Sequence, residues 1–164
     1  MVTAAIVFAE AAAIYEDLNA VQSQSYGAAA RGGITRAEII ISDSPIDFPR
    51  VNQPNTLVCL SQEAYNAYYQ TVRPGGLLLT DSQEVEFWQR AEARQTSLPM
   101  KKEVSNSLGS ASSYNICMLG ALLELSKLVK TESVINVLSS SFSGEKLTVN
   151  TRALELGRKL ALQK

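Results

Sequence analysis

From Val2 to Tyr15 the apolar side chains Ala4, Ala5, Phe8, Ala11, Ala12 and Tyr15 recur at three- and four-residue steps, the spacing of one helical face. The many alanines predict a helix that packs close to a sheet. The stretch from Asn19 to Gln24 reads as short and extended, leading into a glycine turn. Ile34 to Ser42 follows as a strand, and its unbroken Ile39-Ile40-Ile41 run predicts burial on both faces. Pro45, Pro49 and Pro54 make the segment from Asp43 to Pro54 a rigid loop.

Thr56 to Leu60 is the next predicted strand. Ser61 is placed to cap the helix after it, with Glu63 in the first turn and Tyr65, Tyr68, Tyr69 and Val72 on one side. Pro74-Gly75-Gly76 ends that helix and launches the strand Leu77 to Thr80. A strand–helix–strand unit with such short connections implies a parallel crossover. Glu84 to Arg94 is read as a helix, or as an excursion ending in an extended Thr96 to Met100. Ser112 to Val129 predicts a helix with Ile116, Leu119, Leu123 and Leu128 on its apolar face. Gly120 within it marks a place where a neighbour approaches closely. Thr131 is read as the cap of a helix carrying Val134, Ile135, Leu138 and Phe142. Ser143-Gly144 breaks that helix, and Thr151 to Leu162 forms the last one. With no repeat, linker or low-complexity tract, residues 1–164 read as one α/β domain with a helical C-terminal third.

Composition narrows the chemistry. A hydrophobic fraction of 46%, a charged fraction of 19% and a net charge of -1 describe a globular chain with no polycationic surface for nucleic acid or an anionic membrane. No apolar stretch reaches membrane-spanning length. The N-terminal run lacks a basic leader and is interrupted by Glu10, so a signal peptide is not predicted and the cytoplasm is the expected compartment. Histidine is absent, which removes Ser-His-Asp and Cys-His catalysis and the commonest metal ligand. Cys59 and Cys117 stand apart in apolar runs and are expected as buried reduced thiols. Asp43 with Asp47, and Glu84 with Glu86, read as solvated loop carboxylates. Ser61 lacks the glycines of a nucleophile elbow, and Gly75-Gly76 lacks a full dinucleotide fingerprint. No catalytic residue and no metal-ligand set is predicted.

The segment Gln22 to Gly33, QSQSYGAAARGG, carries the candidate site. Its residues are Gln24, Ser25, Tyr26, Gly27, Arg31, Gly32 and Gly33. Adjacent glycines allow positive φ and close approach of another molecule, and Arg31 offers a rigid fork of donors for carboxylate or phosphate. The segment reads as a contact surface; a plain surface turn is the alternative.

Taken together, several segments resemble the gamma subunit of 2-oxoacid:ferredoxin oxidoreductases, a family that includes 2-oxoglutarate, pyruvate and ketoisovalerate types. The likeness rests on Gln24-Ser25-Tyr26-Gly27, Arg31-Gly32-Gly33, the run from Ile40 to Val51 and Leu57 to Tyr68. It continues through Arg73-Pro74-Gly75-Gly76, Asp81-Ser82, Asn115, Leu119-Gly120-Ala121-Leu122 and Asn150 through Gly157. The 2-oxoglutarate type fits best.

The resemblance implies a Rossmann-like, mostly parallel sheet flanked by helices. It also implies a place in a complex that decarboxylates a 2-oxoacid oxidatively to acyl-coenzyme A and passes electrons to ferredoxin. Thiamine diphosphate, Mg²⁺ and iron–sulfur clusters are then expected on other subunits, and none on this chain. The implied partners are thiamine-binding alpha and beta subunits, a ferredoxin-type delta subunit and ferredoxin. This chain would serve assembly and the coenzyme A side, with Arg31 as charge partner and Tyr26 as packing anchor. Two departures stand out. Ala28-Ala29 replaces the family's Pro-Glu, and the chain opens on what resembles the family's first helix. The first strand and its Gly-Gly-Gln-Gly turn are therefore expected to be missing, through a late assigned start or a shortened chain, with a natural variant that fills the gap by dimerisation or with another subunit as the lesser alternative. A stand-alone nucleotide- or coenzyme-binding module, or a structural homo-oligomer dimerising in isolation, are the other readings.

Overall fold

A computed structural model of the chain describes residues 2–26, 34–88, 91–109 and 111–163, with the Tyr26 side chain left aside. Helix α1 (Val2–Tyr15) opens it, and strands β1 (Asn19–Tyr26) and β2 (Thr35–Ser42) form an antiparallel hairpin. Strand β3 (Thr56–Cys59), helix α2 (Gln62–Tyr68), strand β4 (Leu77–Asp81) and strand β5 (Arg94–Leu98) follow. Helices α3 (Met100–Leu108), α4 (Tyr114–Ser126), α5 (Thr131–Ser141) and α6 (Gly144–Leu162) complete the chain.

The parallel sheet has the order β3-β4-β5. Its register runs from Thr56 opposite Leu77 on one side and from Leu77 opposite Arg94 on the other. Strand β4 is buried along its whole length because both edges are paired and both faces are covered. Alternation sends Leu78 and Leu79 to opposite layers. Leu78 joins Cys59, Val85 and the fully buried Tyr65 of α2. Leu79 joins the larger core built from α1, α3, α4, α5 and α6. Ser61 caps α2 as expected, its hydroxyl accepting from the Ala64 N–H at 3.3 Å. Tyr65 stacks on Tyr69 with ring centroids 5.1 Å apart, so this part of the tyrosine stripe is packing.

Several expectations are corrected. The Ile39 strand is not buried on both faces; every residue from Ala37 to Ser42 is half-buried. Among the described residues β2 pairs with β1 and with no strand of the parallel sheet. Ile39 and Ile41 pack on the core, whereas Arg36 and Glu38 occupy the other face. The segment from Asn19 onwards is a full strand rather than a short lead-in. The described residues between Glu84 and Ala93 form no helix, and the extended segment is Arg94–Leu98 rather than Thr96 to Met100.

Met100 instead opens α3, a helix absent from the sequence reading. It buries Met100 and Val104 four residues apart and ends on Gly109 at φ 70, whose N–H bonds to the Ser105 carbonyl. The long helix ends at Ser126, before Val129. Lys130, not Thr131, holds the cap position of α5. Ser143-Gly144 does not separate α5 from a helix starting at Thr151; α6 begins at Gly144 itself, where φ is 56. Glycine supports such a left-handed φ at little cost, so a reversal replaces a loop.

Candidate functional site

The candidate segment lies at the end of the β1–β2 hairpin. The ladder closes at Tyr26 opposite Thr35, and Gly27, Arg31, Gly32 and Gly33 lie outside the described residues. Ser25 and Gln24 are both exposed, but successive strand residues face opposite ways, so the structure does not bring them to one surface. Ser25 is paired with Arg36 and Ser23 with Glu38, which places these four on one face of the hairpin. There Arg36 donates to Glu38 across 2.6 Å, and the Ser23 hydroxyl reaches the other Glu38 oxygen at 3.5 Å. The Arg36 guanidinium carbon lies 5.5 Å from the centre of the Tyr68 ring, which ties the hairpin to α2.

Arg36 and Glu38 are not singled out by the sequence reading, and Tyr68 figures there only in the tyrosine row of the helix. The available signal was Arg36 and Glu38 alternating with Ala37 and Ile39, which is the mark of one polar strand face. The described half of the hairpin therefore offers hydroxyls, an amide and a paired cation, with no group placed for bond-breaking chemistry.

Ligands of open α/β sheets bind beyond the carboxyl ends of the strands. Here that corner is filled by the protein's own Asp81, which is fully buried at the end of β4. One carboxylate oxygen accepts from the Gln83 N–H at 2.8 Å. The other accepts from the Lys101 N–H at 2.7 Å, in the first turn of α3, and from the Tyr114 hydroxyl at 2.9 Å. Burial, and then the negative charge of Asp81, push the Tyr114 phenol well above its ordinary range. Lys101 Nζ closes the outer side with an ion pair to Glu84 at 2.6 Å. Every acceptor is used internally, so the cluster braces β4 against α3 and α4.

Cys59 and Cys117 are buried free thiols. Burial pushes each up to about 12, and the Asp81 charge adds to this at Cys117; at neutral pH neither forms a nucleophilic thiolate. Two cysteines also do not fit an iron–sulfur cluster, which takes four thiolates. Among the described residues no group of three His, Cys, Asp or Glu could hold a metal ion. No described helix is long and apolar enough to cross a membrane.

Residues 1–160 match the family model described as pyruvate ferredoxin/flavodoxin oxidoreductase. The 2-oxoglutarate synthase subunit KorC of Methanocaldococcus jannaschii is 41% identical over 136 residues, covering 82% of this chain and 73% of that protein. The protein of the same name from Methanothermobacter thermautotrophicus is 34% identical, covering 99% of this chain and 89% of its own length. In structure, the gamma subunit of a keto/oxoacid ferredoxin oxidoreductase from Geobacter sulfurreducens superposes with a TM-score of 0.87 at 34% identity. That match covers 99% of this chain and 91% of the other.

Proposed function

The chain belongs to the pyruvate ferredoxin/flavodoxin oxidoreductase family, and from that premise we infer that it is the gamma subunit of a 2-oxoglutarate:ferredoxin oxidoreductase. The observation that carries this reading is similarity along nearly the whole chain to proteins named as a single subunit, KorC. The subunit acts within a complex that oxidises and decarboxylates a 2-oxoacid. A stand-alone nucleotide-binding module or a structural homo-oligomer is not favoured.

The chain's own chemistry fits an accessory role. It has no histidine, its thiols are buried and held neutral, and its best-formed carboxylate is enclosed by internal donors. Thiamine diphosphate, Mg²⁺ and the clusters belong in this reading to the thiamine-binding alpha and beta subunits and a ferredoxin-type delta subunit. The segment from Gln24 to Gly33 meets the catalytic subunits or the coenzyme A side. Arg31 supplies the charge, Tyr26 the packing anchor and Gly27, Gly32 and Gly33 the close approach. The exposed Gln24 and Ser25 and the braced cation at Arg36 support this placement.

The test is co-expression with the thiamine-binding and cluster-binding subunits, followed by size-exclusion chromatography and assay of 2-oxoglutarate-dependent ferredoxin reduction. Co-elution with activity is expected. Assembly of the others into a fully active enzyme without this chain overturns the reading.

A further inference from the structure

After β4 the chain leaves the sheet, runs along helix α2 and carries two aromatic side chains into solvent. Trp88 is 73% exposed and Phe87 beside it 41%. Phe87 leans on Tyr65 of α2, with ring centroids 5.7 Å apart. Trp88 has no such seat in the core. A large apolar ring held in water costs free energy that covering it would return.

Two polar side chains of α2 hold this segment in place. Gln62 Oε1 accepts from the Glu86 N–H at 2.8 Å, and Gln62 Nε2 donates to the Glu86 carbonyl at 3.4 Å and to Asn66 Oδ1 at 3.0 Å. Asn66 Oδ1 also accepts from Trp88 Nε1 at 3.2 Å. The indole N–H is thus satisfied within the chain, and the ring is presented in one orientation. A side chain already immobilised loses little entropy when a partner covers it, and tryptophan is among the residue types enriched at binding hot spots. The charge beside it is negative. Glu86 stands two residues before Trp88, and Glu63 one helical turn before Asn66. Both are exposed, and neither makes an ion pair among the described residues. Glu84, by contrast, is committed to Lys101. Two helical steps put Asn66 and Tyr68 on opposite flanks of α2, so this patch is separate from the hairpin face at Arg36.

We propose that this flank of α2 docks an arginine-bearing surface of another subunit of the complex, with a guanidinium stacked on the Trp88 ring and forked onto Glu86 or Glu63. Arginine fits because its planar cation both stacks on an aromatic face and pairs with a carboxylate. An acidic partner is repelled by the same two glutamates. This second contact surface, across α2 from the hairpin, rests on the chain's being a subunit of such a complex.

Trp88 is the only tryptophan of the chain, so labelling with fluorotryptophan gives a single fluorine resonance. The labelled full chain is titrated with the co-purified thiamine-binding and cluster-binding subunits and followed by fluorine NMR and gel filtration. The expected result is a saturable shift of that resonance, together with loss of its sensitivity to exchanging light for heavy water as the ring leaves solvent. Trp88→Ser is expected to raise the dissociation constant about thirtyfold, the loss of one hot-spot ring. The double variant Glu63→Lys with Glu86→Lys, at exposed positions, is expected to weaken association about tenfold, while the label still reports on Trp88. Co-elution with the Trp88 resonance unmoved overturns the proposal and leaves the subunit reading standing, as does wild-type affinity in both variants. A resonance that moves with the concentration of this chain alone assigns the surface to a second copy and also overturns it. A wild-type chain that fails to associate at all removes the subunit reading and this surface together.

Discussion

Gly157 of α6 lies directly against the carbonyl oxygen of Cys117 in α4, so close that a β-carbon on Gly157 would sit inside van der Waals contact. The same β-carbon would stand 2.9 Å from the Ala121 nitrogen. The relationship is reciprocal: a β-carbon on Gly120 would enter the Leu154 carbonyl and stand 3.1 Å from Leu154 Cα. Each helix thus uses its glycine to admit the other's backbone, and the α4–α6 crossing is set by these two points.

Gly157→Ala and Gly120→Ala are accordingly expected to destabilise the chain by about 3 kcal/mol each, at the upper end of overpacking costs, because the obstructing atoms are backbone and cannot rotate away. Urea unfolding measures this. A loss below about 0.5 kcal/mol for both would show that the helices separate at no cost and that the crossing is not fixed by glycine.

Asp81→Ala is expected to cost about 3 kcal/mol, since it strands two backbone N–H donors and the Tyr114 hydroxyl in a buried corner. Tyr114→Phe removes one donor and is expected to cost about 1 kcal/mol. In a spectrophotometric titration the wild-type chain should show a late-ionising phenol signal to which Tyr114 contributes. In Tyr114→Phe that late signal should shrink by one phenol, because burial and the Asp81 charge raise this one. An unchanged titration curve contradicts the assignment.

Glu16 caps α5 from a distance in sequence. It accepts from the Ser133 hydroxyl at 2.5 Å and the Lys130 N–H at 3.0 Å, and pairs with Lys130 Nζ at 3.5 Å. The Ser133 hydrogen bond first, then the Lys130 backbone bond, hold its carboxyl below the ordinary value of 4.5. A depressed folded-state value means the unfolded chain binds the proton more readily. The stabilisation is therefore complete above pH 4.5 and is lost as pH falls through the lower folded-state value. Glu16→Gln should cost about 1 kcal/mol at pH 7, the scale of a lost helix-capping bond, and the gap to wild type should narrow in acid. A gap that is constant from neutral to acid pH contradicts this.

Arg31→Ala is expected to weaken co-elution with the catalytic subunits or to raise the apparent KM for coenzyme A, while leaving the thermal midpoint of the isolated chain unchanged. Gel filtration and steady-state kinetics read the two effects. Unchanged assembly together with unchanged kinetics removes the hairpin from the functional surface.

Much of this was legible in the sequence, and for identifiable reasons. Local signals act over a few residues, so the α1 periodicity, the Ser61 cap and the turn before Leu77 gave elements close to those observed. Gly120 within an apolar helix correctly marked a close approach. The missed helix α3 had its own signals in Pro99 before it and Gly109 after it. Its short amphipathic pattern of Met100, Val104 and Leu108 was interrupted by a polar run that reads equally as loop. The Ile39 run failed as evidence of a doubly covered strand because three adjacent isoleucines describe hydrophobicity, not the number of strand neighbours.

By itself the sequence determined the chain's class, its family likeness through ordered motifs, and the chemistry it excludes. Missing histidine and separated cysteines are facts of composition that no folding can reverse. Tertiary structure alone decided which distant groups meet. Glu16 reaches the start of α5, Asp81 joins α3 to α4, and Asn150 is fixed by Ser113 at a shared helix entrance. Each contact spans a separation over which no periodicity carries information. It exists because packing the apolar faces brings their polar ends together, and buried polar atoms must then find partners where they land.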